Sequence, residues 1–203
     1  MSYQPHLRKL RKLKRSKASE LEDNVAKALY DLELNHKTLR MHLPRFHINT
    51  AKVVSPSAEG TRKALVVFYP LRYLMLIKKT QKVLTAELEK RFSGHVVLLV
   101  AQRRVTKRPT DVYKLQKVQR STTSTAVFQA ILSDLLGSTE IVGRRWKART
   151  DGSKVQKVFL DTADRKKIEA RLPLISLVYK KLTRRSVNFG FMWNPKLQQV
   201  SSR

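Results

Sequence analysis

Two apolar runs of strand length, Ala64 to Tyr69 and His95 to Val100, bracket a stretch of helical periodicity, and this constrains the fold more than any other feature of the chain. The first run is rich in β-branched and aromatic residues and reads as a strand buried on both faces, and the second reads as a further buried strand. Pro70 closes the first run. Leu71, Leu74, Ile77, Leu84 and Leu88 then recur at helical spacing up to a Ser93-Gly94 stop. Strand, helix, strand in this order predicts a parallel pair with a right-handed crossover.

The flanking segments extend this unit. Ser19-Glu20-Leu21-Glu22 has capping-box spacing, and Leu21, Val25, Ala28 and Leu32 share one face of a helix running to about Leu39. Pro44 ends that pattern, and Asn49 to Val54 reads as a short strand before the Ser55-Pro56-Ser57 turn. Thr122 to Leu136 is a further helix, with Val127, Ala130, Ile131 and Leu135 inward and Gly137 as its stop. Ile141 to Thr150 and Lys154 to Leu160 flank Asp151-Gly152 as a hairpin. Its register is open: one loop length sets Arg149 opposite Lys154, another sets Trp146 opposite Val158. Asp161 or Thr162 caps the next helix, and Pro173 breaks it and can start another, on whose face lie Ile175, Val178, Tyr179 and Leu182. Val187 to Met192 closes the pattern as a strand. The expected fold is α+β, one domain over 19–193 with a central mixed sheet that includes the hairpin and is packed by several helices. A basic N-terminal arm (1–18) precedes it and a polar tail (194–203) follows.

What such a chain binds is set by charge. With 43 Lys+Arg against 15 Asp+Glu, its formal net charge is +28 over 203 residues. Self-repulsion of this size penalises a compact state unless a polyanion offsets it, and nucleic acid is the first candidate because phosphate neutralisation releases counterions. At 41% hydrophobic the chain has enough apolar material for a core and is no disordered tail. No apolar run reaches the roughly 18 to 20 residues that span a bilayer. Cysteine is absent, which removes disulfides, thiolate nucleophiles and cysteine-based zinc sites, fits a reducing compartment and argues against secretion.

Four segments each carry part of that charge. Leu7 to Lys17 carries Arg8, Lys9, Arg11, Lys12, Lys14, Arg15 and Lys17 without an acid. It reads as a nucleic-acid arm or nuclear-import signal, with a mitochondrial presequence and a solvated tail as the alternatives. Gln102 to Ser121, with seven basic residues against Asp111 alone, reads as a functional loop. Its base, Arg103 and Arg104, is expected to be held by the strand, while Lys107, Arg108, Lys114, Lys117 and Arg120 reach outward. Arg103 and Arg104 are therefore expected to matter more for binding than Lys9 and Lys12, since anchored groups lose less entropy. On the hairpin, Arg145, Lys147 and Arg149 share one face at period two beside Arg144, a phosphate-tracking edge or a merely solvated one. Lys180, Lys181, Arg184 and Arg185 crowd the end of the last helix.

Catalytic chemistry is not visible. No glycine-rich phosphate loop or nucleophile motif occurs, and His6, His36, His42, His47 and His95 lack metal-ligand spacing with acidic support. Pro109-Thr110-Asp111 with Lys114 echoes one nuclease motif but has no second carboxylate nearby, and Asp161 with Asp164 suits helix capping. The rival classes are a free RNA-binding protein and a basic membrane-surface binder. The second wants Trp or Phe on the arm, which offers leucines and Tyr3. Tyr113 is the one clear candidate for base stacking, and a lone tyrosine is more often loop packing.

Several ordered segments resemble a single family. Ile48-Asn49-Thr50-Ala51-Lys52, Arg62-Lys63-Ala64, Glu87-Leu88-Glu89-Lys90 with Phe92-Ser93-Gly94, His95-Val96-Val97, Ala101-Gln102-Arg103-Arg104, Glu140-Ile141-Val142-Gly143, Asp151-Gly152-Ser153, Val178-Tyr179-Lys180-Lys181-Leu182-Thr183 and Val187-Asn188-Phe189 resemble, in order, the eukaryote-specific family numbered seven of the small ribosomal subunit. This is distinct from the bacterial-type protein of the same number. The resemblance implies a non-enzymatic α+β structural protein without cofactor, metal or small-molecule substrate. It implies small-subunit rRNA, neighbouring small-subunit ribosomal proteins and nucleolar assembly factors as partners, no membrane, and a place on cytoplasmic ribosomes after assembly in the nucleolus. Among the basic residues it covers Arg103, Arg104, Lys107, Arg145, Lys180 and Lys181. The arm before Ser19 is longer and more basic than the family pattern, the 102–121 loop is shorter and less basic, and Pro173 interrupts a segment usually free of proline. Contacts assigned to the arm and outer loop therefore rest on charge alone.

Overall fold

The computed structural model describes residues 5–12, 17–56, 62–107, 109–111, 113 and 118–191. The chain divides into two compact units, Met1–Gly137 and Ser138–Arg203. The first contains α1 (Glu20–Asn35), β1 (Thr50–Val54), β2 (Lys63–Pro70), α2 (Leu74–Arg91), β3 (His95–Gln102) and α3 (Ser124–Leu136). Its sheet runs β1-β2-β3, with β1 antiparallel to β2 and β2 parallel to β3 in the register Lys63↔His95 to Pro70↔Gln102. The parallel pair expected from the two apolar runs is therefore present, with α2 as its crossover. On one face Leu65, Val67, Tyr69, Val97, Leu99 and Ala101 pack with Val25, Leu29 and Leu32 of α1 and Ile77, Leu84 and Leu88 of α2. Val66, Leu98 and Val100 are buried on the other face, and α3 packs against β3.

Local signals explain where these elements stop. At the start of α1, Ser19 N–H donates to Glu22 Oε2 at 2.9 Å, one half of the expected capping box. The helix ends at Asn35, short of Leu39, which is buried in the following turn. Gly137 ends α3 at φ +68°, a conformation that a Cβ would strain. The inward face of α3 is wider than expected: Leu132, Asp134 and Leu136 are buried beside Val127 and Leu135, while Ala130 and Ile131 are half-buried.

The second unit contains β4 (Ile141–Ala148), β5 (Lys154–Leu160), α4 (Leu172–Thr183) and β6 (Ser186–Phe191), with a single α-turn at Arg165–Ile168 before α4. Pro173 sits in the first turn of α4, where its missing N–H costs nothing. The strands form a second sheet, β4-β5-β6, β4 antiparallel and β6 parallel to β5. The single central sheet expected from sequence is thus two three-stranded mixed sheets. Each repeats the same plan, an antiparallel strand, a central strand, a crossover helix and a parallel strand. β6 pairs with the free side of β5 from within the same unit, so the hairpin's inner strand is paired on both sides.

Neither expected hairpin register occurs. Ala148 faces Lys154 and Trp146 faces Gln156, and Arg149 N–H donates to Ser153 O at 2.9 Å. The three-residue loop Thr150-Asp151-Gly152 closes with Gly152 N–H on Arg149 O at 3.1 Å and Gly152 at φ +80°. Asp151 Oδ1 accepts from the Ser153 hydroxyl at 2.8 Å and its N–H at 3.0 Å, and these bonds hold the carboxyl below its usual range. Against Lys154 the loop sets Ala148, not Arg149, which avoids the like-charge pair.

Candidate nucleic-acid interface

The N-terminal basic segment is folded onto the first unit as far as Lys12. Pro5–Lys9 forms a 3-10 turn, and Leu10 bridges Ile48, with Arg11 N–H on Ile48 O and Ile48 N–H on Lys9 O, both at 2.8 Å. Lys9 is 3% exposed: its ammonium donates to Leu43 O at 2.5 Å and pairs with Glu33. Lys12 pairs with Glu22 at 2.7 Å, and His6 Nε2 meets Asp23 Oδ1 at 2.8 Å. Arg8 and Arg11 face solvent. A run of cations that looks uniform in sequence is therefore split: Lys9 and Lys12 hold the segment down, and Arg8 and Arg11 remain available. Lys14 and Arg15 lie outside the described residues.

The base of the central loop is split in the same way. Arg103 turns inward, with Nη1 on Asp134 Oδ2 at 2.5 Å and Nη2 on Asp134 Oδ1 at 3.1 Å, and Asp134 Oδ2 also accepts from Ala101 N–H at 3.0 Å. The two side chains are 10% and 5% exposed. Arg103 is held by its strand as expected, but its donors are spent on α3, so its placement is that of a structural ion pair. Arg104, Lys107 and Arg120 are exposed, and Thr106 N–H to Thr122 O at 3.0 Å ties the two ends of the loop together. Arg108, Lys114 and Lys117 lie outside the described residues.

The hairpin carries a cationic face. On the outer face of the second sheet Arg145 stands directly opposite Lys157, one step from Lys147, with Asn188 beside Lys157 on β6. All four are exposed. Gly143 and Gly190 flank half-buried Phe159 on that face, and a Cβ on either would meet its ring at 3.6–3.7 Å. Two cations in register repel, a cost that a phosphate between them removes. The inner face buries Gln156, Val158, Leu160 and Val187, and α4, with Ile175, Val178 and Tyr179 buried, packs against β6. At the edge of that face Arg144 and Trp146 emerge, with the Arg185 guanidinium 5.7 Å from the Trp146 ring centre. Burial pushes the Tyr179 hydroxyl up against a Thr183 hydrogen bond and the positive fields of Arg185 and Arg144. Arg149, Lys180, Lys181 and Arg184 are exposed, the last three clustered at the C-terminal end of α4, where the helix dipole favours cations.

One cationic surface escaped the sequence reading. Lys78, Lys79 and Lys82 point outward from α2, next to Met75, which is 69% exposed. The periodicity that put Ile77, Leu84 and Leu88 in the core places these lysines opposite, so the signal was there in the complementary positions. Lys157 was missed for another reason, since only the register brings it to Arg145.

Among the described residues no group of three His, Asp or Glu side chains could hold a metal ion, and no helix is long and apolar enough to cross a membrane. His47 is occupied by Tyr73 Oη at 3.0 Å and Arg72 Nη2 at 3.1 Å.

Two α+β units, each carrying exposed cations on its own elements, define a basic structural protein of the ribonucleoprotein class. The comparisons make this specific. The chain matches the ribosomal protein S7e family over residues 9–191 and belongs to it. It is 42% identical over 90% of its length to small ribosomal subunit protein eS7z of Arabidopsis thaliana, covering 94% of that protein. It is 41% identical to the eS7 protein of Schizosaccharomyces pombe, with 91% of this chain and 94% of that one aligned, and 39% identical to eS7B of Saccharomyces cerevisiae, with 84% and 90% aligned. The family is non-enzymatic.

Proposed function

We propose that this chain is a structural constituent of the small ribosomal subunit, fixed to rRNA by cations that its two sheets and their helices hold in place. The observation that carries this reading is the Arg145–Lys157 pair, in register beside Lys147 on an outer sheet face that has no acidic residue in its paired positions. Such a face is stable against phosphates and strained without them. Arg8, Arg11, Arg104, Lys107, Arg120, Arg149, Lys180, Lys181 and Arg184 add contacts elsewhere, as do Lys78, Lys79 and Lys82. Lys9, Lys12 and Arg103 serve by holding the scaffold. Neighbouring small-subunit proteins are the protein partners, assembly takes place in the nucleolus with its assembly factors, and the finished subunit works in the cytoplasm.

The test is binding of the purified chain to a folded small-subunit rRNA fragment across salt, with gradient sedimentation of lysate. Affinity should fall by about 10³-fold or more between 50 and 200 mM salt if roughly six phosphates are neutralised. The protein should also cosediment with small subunits. Binding that barely responds to salt, or a protein pool free of subunits, would overturn the reading.

A further inference from the structure

Trp146 occupies an unusual place. By register it belongs to the inner, helix-covered face of the second sheet, opposite Gln156, which is 1% exposed. Yet β4 is an edge strand, and the indole remains 51% exposed. Three guanidiniums surround this position in sequence or space. Arg144 precedes it on the same face of β4, Arg185 lies 5.7 Å from its ring centre, and Arg184 sits next to Arg185 at the end of α4.

The backbone at Arg184 is also out of the ordinary. At φ 57° it is the only non-glycine residue with positive φ among the described residues. Glycine or asparagine relaxes that conformation, whereas an arginine retains the strain together with a cation. The turn it makes carries Arg185 back toward Trp146 while leaving Arg184 exposed. Across the strand pair, Gln156 Nε2 is buried without a hydrogen-bond partner among the described residues. An exposed indole on the edge strand thus has a guanidinium over its ring, with a strained, exposed arginine next to that guanidinium in the chain.

We propose that this edge is a stacking site for an unpaired RNA base, the indole of Trp146 receiving the base and Arg144 and Arg184 the flanking phosphates. The proposal rests on the reading of the chain as an RNA binder and names which RNA this surface takes. Every nucleobase has a π-face that an indole or a guanidinium plane can cover, and the phosphates on either side need cations at that range. A duplex, whose bases are already stacked, cannot use the ring. A membrane interface wants apolar neighbours around a tryptophan, and here the neighbours are arginines.

The chain has two tryptophans, so Trp193→Phe leaves Trp146 as the sole indole reporter. This variant is titrated with an RNA hairpin carrying an unpaired loop and with a fully paired duplex of equal length, reading anisotropy of end-labelled RNA for binding and indole emission with unlabelled RNA for stacking. Both RNAs should bind with salt-sensitive affinity, and only the hairpin should quench the indole. Trp146→Ala should weaken hairpin binding about tenfold and leave duplex binding within about twofold, the size of one base–aromatic stack. Arg184→Gly, which relieves backbone strain and cannot unfold the unit by that route, should raise the melting temperature while weakening hairpin binding. If both RNAs bind but the emission is unchanged, or Trp146→Ala affects them equally, the stacking site is overturned and the RNA reading stands. If neither RNA binds, both fall.

Discussion

Replacing Arg103 separates the two roles open to a strand-end arginine. In the native fold its guanidinium faces the Asp134 carboxylate through two hydrogen bonds, at 2.5 and 3.1 Å. Arg103→Ala leaves that carboxylate, 5% exposed, with the Ala101 N–H still donating to it. Removing one member of a buried ion pair typically costs about 3–5 kcal/mol, because the other is stranded in a medium that solvates it poorly. At about 2–4 °C per kcal/mol for a chain of this size, the melting temperature should fall by about 6–20 °C. The double variant Arg103→Ala with Asp134→Ala should recover part of that loss, since no charge is then left behind. Thermal melts of the wild type, both single variants and the double variant, at low and high salt, give the coupling, which should persist at high salt because buried pairs are weakly screened. Arg104→Ala is the control, expected to leave the melt unchanged and to weaken RNA binding. Were Arg103→Ala to melt with the wild type while losing RNA affinity, the argument from burial would be wrong.

Other perturbations test other parts of the fold. Burial, then the positive fields of Arg72, Arg11 and Lys9, holds His47 below its ordinary value, so the folded state binds fewer protons there than the unfolded one. Its contribution is complete above the unfolded pKa and lost as pH falls through the folded one; NMR titration of the ring should place the pKa below 6.5, and His47→Asn should flatten that part of the stability profile. Burial alone would raise the Glu22 carboxyl, but the Lys12 ammonium and the Ser19 N–H outweigh it and the pKa is lowered. Stability from this pair is thus present above the unfolded carboxylate pKa and lost as pH drops through the depressed value. Glu22→Gln should shallow the acid limb of a melting-temperature profile. Gly137→Ala forces a Cβ into φ +68° and to 2.8 Å from Gln81 Nε2. A loss of about 1–3 kcal/mol in denaturant unfolding is expected, and Gln81→Ala should rescue little of it because the strain lies in the backbone.

Much of the fold was legible because it is written in local patterns. The apolar runs announced β2 and β3, their helical interval announced α2, and Asp151-Gly152, Pro173 and Gly137 marked a turn, a helix start and a helix stop. The number of sheets was not legible. Strand patterns say that a strand will pair, not with which edge, and β6 pairing with β5 decided the matter. The exposure of the candidate site's cations was half legible for a related reason. Sequence counts cations, but whether a cation meets solvent or a carboxylate depends on residues far along the chain: Asp134 for Arg103, Glu33 for Lys9, Lys157 for Arg145.

By itself the sequence pointed to a polyanion as partner, to an α+β core and to the family the chain resembles, since net charge, periodicity and ordered motifs are properties of the chain alone. Only the tertiary structure decided which cations stay exposed. It spent Lys9, Lys12 and Arg103 on holding the scaffold, lined up Arg145 with Lys157 across a register no local rule specifies, and left Trp146 exposed because β4 ended up as an edge. Burial and pairing are set by contacts between distant segments, and those exist only once the chain has folded.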